Sequence, residues 1–354
     1  MTKEESLQLK GIAIMMMLWL HLFGTDKAIL AETTKILYIN DSEPFIYAMR
    51  KFGRMCVVLY TLLGGYGLAK VYQRNATVKG LGIVTGMKNG KRVWNLFKSY
   101  WLVMTIFILI ATLLQPERYP GNIMEVALNI SALDITYNDT LWFLFPYALL
   151  TLFAQPIIKL STALRGIWLW MFITFAFIAK AIAYNTEIPF DNLGGIVMRN
   201  IFCATELFFM FFVGALFARN SLMERCVTSV KESISRSRIT RRLHIGISTV
   251  CTVILLLLFT GRIFMGASTL IDPFYIIPMI ITFMCIERPQ WLNTGLAHIG
   301  SHSTNIWFTH RYLLMLSGTA IAFFRYPIII FAAFVIICLT ISHIINVIKK
   351  AIHI

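Results

Sequence analysis

Charged residues are scarce in this sequence, and acidic residues are the scarcer kind. Only 14% of the 354 residues are charged, with 17 aspartates and glutamates against 32 lysines and arginines, whereas 58% are hydrophobic. A soluble domain normally has about 25% charged residues. The low value excludes an ordinary soluble protein, and no polar stretch is long enough to form a separate soluble domain.

Signatures of several other protein classes are missing as well. The sequence has no G-x-x-x-x-G-K-[ST] loop and no G-x-G-x-x-G opening a βαβ unit, so it lacks a nucleotide-binding motif. No internal hydropathy repeat marks the inverted halves that are common in transporters. The six cysteines are scattered without a C-x-x-C pair, and no histidine–carboxylate spacing suggests a metal ligand set. We therefore expect neither disulfides nor a bound metal.

Apolar runs of about 20 residues recur along the whole chain, and each is long enough to cross a bilayer as a helix. The pattern predicts an all-α, polytopic transmembrane bundle that forms a single domain over residues 1–354. About ten spans are expected, and they lie roughly at 7–24, 52–72, 97–115, 141–158, 167–184, 200–218, 244–261, 268–286, 302–321 and 327–348.

Basic residues concentrate in the loops after the second and sixth predicted spans and in the C-terminal tail. They are Lys70, Arg74, Lys79, Lys88, Lys91, Arg92, Lys98, Arg219, Arg225, Lys231, Arg236, Arg238, Arg241, Arg242, Lys349 and Lys350. The opposite loops carry Asp26, Glu32, Asp41, Glu43, Glu117, Glu125, Asp134, Asp139, Glu187 and Asp191. Because lysine and arginine mark cytoplasmic loops, we expect both termini in the cytoplasm and an acidic outer face. The net charge of +15 is then explained by membrane topology and by attraction to anionic membrane lipid, not by nucleic-acid binding. The alternative is that part of one basic loop also binds a phosphorylated cytosolic ligand.

The first apolar run, 7–24, contains Lys10 and His21. Eleven positions are about three helical turns plus 20°, so both side chains lie on one helix face, about 16 Å apart along the axis. An ionisable residue within a span is a functional candidate by default, and an imidazole with a pKa near 6.5 suits a general base. The alternative is that Lys10 snorkels to the headgroups while His21 lies at the far interface.

Two further ionisable residues occur inside apolar runs. Arg54, just inside the second span, is expected to lie level with His21, where a guanidinium would orient an acceptor or stabilise an oxyanion; the alternative is an interfacial anchor. Glu206, in the sixth span, requires a partner, for which Arg54, Lys10 and His310 are the candidates. A structural ion pair is the alternative for Glu206.

Three more candidates come from the fourth and ninth spans. Asp139 either caps the fourth span or orients an imidazole. Trp142 belongs either to an aromatic belt or to a sugar-stacking site. His310 lies in the unusually polar segment IGSHSTNIWFTH, where a satisfied buried histidine and a reactive one are both compatible with the sequence.

The order of these motifs resembles acyltransferase family 3, the integral-membrane O-acyltransferases of bacterial surface polysaccharides and related glycans. The resemblance rests on LKGIAIMMMLWLH, FGRMCVVLYTLLGGYGLAK, KRVWNLFKSYW, a fourth span that opens on WFL, FFMFFVGALF and IGSHSTNIWFTH, and so covers nearly the whole chain. The matching residues are Lys10, His21, Arg54, Gly65, Tyr66, Lys91, Arg92, Tyr100, Trp142, Gly300, Ser303, Trp307 and His310.

The resemblance implies acetyl-CoA as the acyl donor and a hydroxyl of a capsular or exopolysaccharide, or of its lipid-linked precursor, as the acceptor. On this basis we expect catalytic roles for His21 and Lys10, donor contacts for Lys91, Arg92 and Tyr100, and acceptor contacts for the other candidates. These are Arg54, Trp142, Asp139, Glu206, Ser303 and His310. Membrane lipid and a glycan assembly machinery are the implied partners, and the plasma membrane of a bacterium is the implied location.

The chain departs from the family pattern in three places. Lys10 stands where arginine is usual, which keeps the charge but loses the planar fork. Gly64 replaces a serine, and the glutamate that often follows the tryptophan of the fourth span is absent from FLFPYALL. The alternatives are a transporter or flippase of a lipid-linked glycan, a membrane sensor or assembly partner with a degenerate site, and the same fold with another donor such as succinyl-CoA.

Overall fold

The computed structural model describes residues 1–24, 44–75, 81–188, 192–266, 268–321 and 324–353. Throughout these ranges the regular structure is helical and no strand occurs, which confirms the predicted all-α class. The helices are α1 Lys3–Leu22, α2 Phe45–Gly53, α3 Met55–Asn75, α4 Leu81–Leu114, α5 Ile123–Ser131, α6 Leu144–Leu152, α7 Ala154–Ala163, α8 Gly166–Asn185, α9 Leu193–Ala218, α10 Leu222–Arg236, α11 Arg238–Arg242, α12 Ile247–Phe264, α13 Asp272–Cys285, α14 Gln290–Ser301, α15 Ser303–Ile321 and α16 Pro327–Ala351. The predicted outer-face residues Asp26, Glu32, Asp41, Glu43 and Asp191, and the basic Lys79, lie outside the described residues.

Six helical stretches in the described ranges are long and apolar enough to cross a membrane. They are Phe45–Arg74, Lys88–Leu114, Gly166–Asn185, Leu193–Arg236, Ile247–Phe264 and Pro327–Ala351. A seventh is formed by the segment Asp139–Leu152 together with α7 if this pair, bent by 60°, counts as one span. The protein is therefore a multi-pass membrane protein. The three other predicted spans are also helical, as α1, α13 and α15, but they are shorter or more polar, so the count of ten stays a prediction.

The first helix begins at a capping box that the sequence analysis did not use. The Thr2 hydroxyl accepts a hydrogen bond from the Glu5 backbone N–H at 3.1 Å, and the Glu5 carboxylate accepts one from the Thr2 backbone N–H. These bonds satisfy two of the donors that a helix N-terminus leaves open. The N-terminal ammonium group also pairs with Glu224 on α10 at 2.6 Å, so the start of α1 is tied down.

The chain forms two compact units. Unit 1 comprises Met1–Tyr60, Asn220–Ser303 and Leu316–Leu339. Unit 2 comprises Thr61–Arg219, Thr304–Met315 and Thr340–Ile354.

Unit 1 is built around the crossing of α1 and α14. A Cβ placed on Gly11 would overlap the Leu296 carbonyl oxygen, and one on Gly300 would overlap the Leu7 carbonyl oxygen. The two glycines therefore allow the helix backbones to touch, which is the usual reason for small residues at membrane helix interfaces. Helix α2 packs on the other end of α1, where a Cβ on Gly53 would lie 2.9 Å from the Met16 carbonyl oxygen.

Unit 2 has a crossing of the same kind between α3 and α9. A Cβ on Gly65 would overlap the Phe211 carbonyl oxygen, and one on Gly214 would overlap the Leu62 carbonyl oxygen. Helix α8 lies along α9 through aromatic contacts, with the rings of Phe172 and Phe212 centred 4.8 Å apart. These contacts fix α9 between two neighbours, and α9 carries Glu206.

Candidate functional site

Helix α1 holds Lys10 and His21 in two different settings. His21 lies in the last turn of α1 and is half-buried, whereas Leu18 and Leu22 beside it have no exposed surface. Lys10 is also half-buried and lies next to Gly11 at the crossing with α14. The backbone contact at that crossing holds the axis of α1 in place, so both side chains project from a fixed helix.

Tyr60, which the sequence analysis did not single out, links Lys10 to the Ser303 region. Its hydroxyl donates to the Lys10 carbonyl oxygen at 3.2 Å and lies within hydrogen-bonding reach of the Ser303 side chain. Ser303 is buried at the start of α15. The Tyr60 hydroxyl therefore links the Lys10 backbone to Ser303, although a pairing of these two site candidates was not predicted.

Arg54 lies between α2, which ends at Gly53, and α3, which begins at Met55, and its side chain is exposed. Its backbone keeps the α-helical φ of −59° and ψ of −27°, so the stretch Phe45–Arg74 continues through it as the sequence predicted. A Cβ on Gly53 would lie 3.4 Å from the Leu20 Cα atom. Because Leu20 directly precedes His21, this contact brings the Arg54 backbone to the His21 end of α1. A shared role of the two side chains stays a prediction.

An aromatic contact supports the same end of α1. The Trp19 indole N–H donates to the Ile46 carbonyl oxygen of α2 at 3.3 Å, and its ring lies 4.7 Å from that of Phe23 and 5.1 Å from that of Phe331. Trp19 therefore joins α1 to α2 and α16 two residues before His21.

Arg288, in the loop between α13 and α14, fixes the opposite end of α1. Its guanidinium donates to the Gln8 side chain at 3.1 Å, to Asn293 at 3.0 Å and to the carbonyl oxygens of Ile286 and Phe283. Burial lowers the pKa of Arg288, and the nearby Glu5 carboxylate opposes that shift. Sequence reasoning missed this residue because nothing local in RPQ distinguishes it from any other loop arginine.

In unit 2, the segment before the fourth predicted span packs against α15. The Asn138 side-chain amide donates to the Phe308 carbonyl oxygen at 3.3 Å, and the Thr140 hydroxyl donates to the Asn138 side-chain oxygen at 2.6 Å. Asp139 pairs with Arg311 at 3.2 Å. The N-cap position of the short 3-10 turn Asp139–Leu141 is Asn138, so the interpretation of Asp139 as a helix cap is wrong. The sequence contained Arg311 in its polar ninth span but did not indicate this pairing.

His310 is fully buried on α15, beside Arg311. Its Nδ1 atom lies 2.8 Å from the Trp307 carbonyl oxygen. A carbonyl oxygen can only accept, so the Nδ1 atom is the donor in this contact. Trp307 in turn lies edge-on to Phe143, with ring centroids 5.6 Å apart. Trp142, next to Phe143, is 41% exposed, which keeps both the aromatic-belt and the sugar-stacking interpretations open.

Glu206 has a partner that the sequence analysis did not consider. Lys180 on α8 reaches its carboxylate at 3.0 Å, with the Lys180 side chain 2% exposed and that of Glu206 23% exposed. Lys180 interrupts the apolar run AFIAKAIAY, and an ionisable residue in a span was the available signal.

The three predicted donor residues lie on α4. Lys91 is exposed, and the Arg92 guanidinium donates to the Asn89 side chain at 2.7 Å. Tyr100 is buried, and its hydroxyl donates to the Asn129 carbonyl oxygen at the end of α5, at 2.7 Å. Tyr100 therefore fastens α5 to α4, and contact of these residues with CoA stays a prediction.

Comparison with known proteins identifies the family of the chain. A family model described as an acyltransferase domain matches residues 7–347. Curated proteins and solved structures contain no match to the chain. The matched range includes α1 with Lys10 and His21 and extends through nearly all of α16. The chain belongs to this family, acyltransferase family 3, and is a multi-pass membrane acyltransferase.

Proposed function

We propose that the protein is an O-acetyltransferase of a bacterial plasma membrane. It moves an acetyl group from cytosolic acetyl-CoA to a hydroxyl of a surface polysaccharide, capsular or exocellular, or of its lipid-linked precursor. The observation that carries the proposal is the setting of His21. This residue is a half-buried imidazole at the end of a helix held by backbone contact, and the exposed Arg54 follows Gly53, which packs against Leu20 at that end.

The chemistry that fits this setting is general base catalysis of acyl transfer. The neutral His21 ring removes the proton of an acceptor hydroxyl as that oxygen attacks the thioester carbonyl carbon. Collapse of the tetrahedral intermediate breaks the C–S bond, and the departing thiolate takes the proton from the imidazolium. The products are an O-acetyl ester and free CoA thiol. An acyl-histidine route would place the acetyl group on His21 first and then pass it to the hydroxyl.

Cationic groups supply the remaining requirements of the reaction. Arg54 orients the acceptor or stabilises the negative charge that develops on the carbonyl oxygen. Lys10, about 16 Å from His21 along α1, neutralises negative charge of the donor. Lys91 and Arg92 bind the CoA phosphates in the cytoplasmic loop that the positive-inside rule assigns to them.

Unit 2 carries further residues for which acceptor contacts are proposed. Trp142 stacks on a sugar ring, and Asp139 and Glu206 accept hydrogen bonds from sugar hydroxyls. His310, which is buried, supports this region from α15. Ser303 in unit 1 is a hydroxyl that Tyr60 keeps beside the Lys10 backbone.

The test is a matched pair of histidine substitutions in reconstituted protein. His21→Ala should lower kcat by about 10²- to 10⁴-fold, the usual contribution of a general base. His353→Ala, at the exposed C-terminal end, should leave kcat unchanged. The measurement follows CoA thiol release and transfer of radiolabelled acetate to de-O-acetylated host polysaccharide, with succinyl-CoA as the competing donor. Size-exclusion profiles confirm that both variants are folded. A folded His21→Ala protein with native kcat contradicts the assignment, and glycan translocation without any acetylation supports the flippase alternative.

A further inference from the structure

A cavity with apolar walls and several charged side chains opens between the end of α8 and the first half of α9, and Glu206, proposed above as an acceptor contact, is part of its lining. It has a volume of about 600 Å³ and is lined by Ala183, Thr186, Glu187, Ile188, Arg199, Phe202, Cys203 and Glu206. This volume is in the range of small-molecule sites. The residues from α9 recur at intervals of three and four, so they form one face of that helix.

Two charged residues of the lining, Glu206 and Arg199, each form an ion pair with a residue on another segment of the chain. Glu206 pairs with the buried Lys180 of α8, and Arg199 pairs with Asp134 at 2.9 Å. The side chains of Arg199 and Asp134 are 32% and 27% exposed, so both keep surface that a ligand can reach. Ionisable groups in or at the end of a span are costly and mark binding sites more often than packing.

The chemistry of the lining selects an uncharged polyhydroxyl ligand. Carboxylates accept hydrogen bonds from hydroxyl groups, the guanidinium donates to ring and hydroxyl oxygens, and Phe202 offers an apolar face for a sugar ring. Asp134, Glu187 and Glu206 against Lys180 and Arg199 give one excess negative charge, which disfavours an anionic ligand. We propose that this cavity is a binding subsite for a neutral sugar of the acceptor glycan, away from the hydroxyl that is acetylated.

The location of the cavity suits an acceptor that is a polymer. The Asn200 side-chain amide donates to the Leu133 carbonyl oxygen at 2.7 Å, so α9 holds the segment that leads from Asp134 to Asp139 and Trp142. Five residues of extended chain span at most about 18 Å. The cavity therefore lies within a few sugar lengths of Asp139. The α8–α9 loop has Glu187 and no lysine or arginine, which places it outside by the positive-inside rule.

The identity of the subsite's ligand rests on the proposed function, in which a glycan is the acceptor. A variant that fills the cavity tests the subsite. Ala183→Trp places a large side chain in the cavity without removing either ion pair. Ile182→Trp changes the neighbouring residue of α8, which is 58% exposed and does not line the cavity, and is the matched control. The probes are de-O-acetylated oligosaccharides of one, two and four repeating units released from the host's surface polysaccharide.

Binding is measured by calorimetry on nanodisc-embedded protein, and KM is measured separately for each acceptor and for acetyl-CoA. Ala183→Trp should raise Kd and KM for the longest acceptor at least tenfold, leaving the one-unit acceptor, acetyl-CoA KM and kcat unchanged. Ile182→Trp should change none of these values. The subsite would be overturned if the two variants had equal effects. It would also be overturned if Ala183→Trp lowered the binding of anionic lipid to the protein without lowering the binding of oligosaccharide. If the protein transfers no acetate but still binds oligosaccharide saturably, and Ala183→Trp removes that binding, the subsite is retained and the proposed function is rejected.

Discussion

Units 1 and 2 each contain an ion pair between consecutive helices, and the two pairs differ in how their charges are satisfied. In unit 1, Arg262 of α12 pairs with Asp272 of α13 at 2.8 Å, and neither side chain has exposed surface. The guanidinium also donates to the carbonyl oxygens of Gly266 and Ser268. In unit 2, Glu206 keeps exposed surface and lines a cavity. A closed pair holds a helix hairpin together, whereas an open pair retains acceptors for a ligand.

Removing the carboxylate of the closed pair should have the largest effect on stability. Asp272→Asn leaves the Arg262 charge buried without compensation, and such a loss costs about 3–5 kcal/mol. Glu206→Gln should cost less than half of that, because Glu206 is partly exposed and its pair with Lys180 is less completely desolvated. Thermal unfolding of both variants in the same detergent provides the measurement.

A double substitution serves as the control for this contrast. Replacing Arg262 and Asp272 together by Met and Leu removes both charges, so most of the lost stability should return. Equal losses for Asp272→Asn and Glu206→Gln would show that both pairs are structural and would remove the distinction between the two regions.

The two glycine crossings should respond with intermediate effects. Gly300→Ala and Gly214→Ala each force a methyl group against a backbone carbonyl, and overpacking of this kind costs about 1–3 kcal/mol. Gly295→Ala, on the same helix as Gly300 but with nothing within 4 Å of the added carbon, should instead gain up to about 1 kcal/mol of helix propensity.

Enzymatic activity should distinguish the two glycine crossings, although substitutions at both are expected to lower stability by similar amounts. At a temperature where all three variants are folded, Gly300→Ala should reduce kcat more than Gly214→Ala does, because α14 positions the helix that carries His21. Melting curves combined with kcat values measure both quantities. A larger loss of kcat in Gly214→Ala would place the rigid part of the active site in unit 2.

Hydropathy predicted most of the helices because it is a local property of the sequence. Each of the ten apolar runs is helical in the structure, and the period of the α-helix correctly places Lys10 and His21 on one helix. The 60° bend between α6 and α7 was not predicted, although Pro156 is a local signal for it. A proline cannot donate to the carbonyl of residue i−4, here Leu152, and its ring clashes with that carbonyl, so the helix is interrupted there. Helices α2, α5, α10, α11 and α14 were missed because they are short or polar.

Partners of charged residues were harder to predict than helices, because pairing is not local. Lys180 and Glu206 are 26 positions apart, and Asp139 and Arg311 are 172 positions apart. The sequence analysis matched Glu206 with the charges that were already candidates and did not weigh Lys180. In contrast, the neighbourhood of His21 and Arg54 was predictable in part, because topology places the start of the second span level with the end of the first. The close approach of Gly53 to Leu20 depends on packing, which spacing alone does not indicate.

The smallest expected effect on stability concerns two exposed pairs, one from each unit. The Asp139 side chain is 66% exposed in its pair with Arg311, and both side chains of the Glu232–Arg236 pair on α10 are largely exposed. Pairs of this kind contribute about 0–1 kcal/mol, so Asp139→Asn and Glu232→Gln should both unfold within a few degrees of the native protein. Asp139→Asn alone should raise the KM for the polysaccharide several-fold, since the neutral amide is a weaker acceptor than a carboxylate beside Trp142. The comparison of acceptor KM with acetyl-CoA KM measures this difference. An unchanged acceptor KM would assign the Asp139–Arg311 pair to holding the 134–139 segment against α15, and the acceptor path would then begin at Trp142.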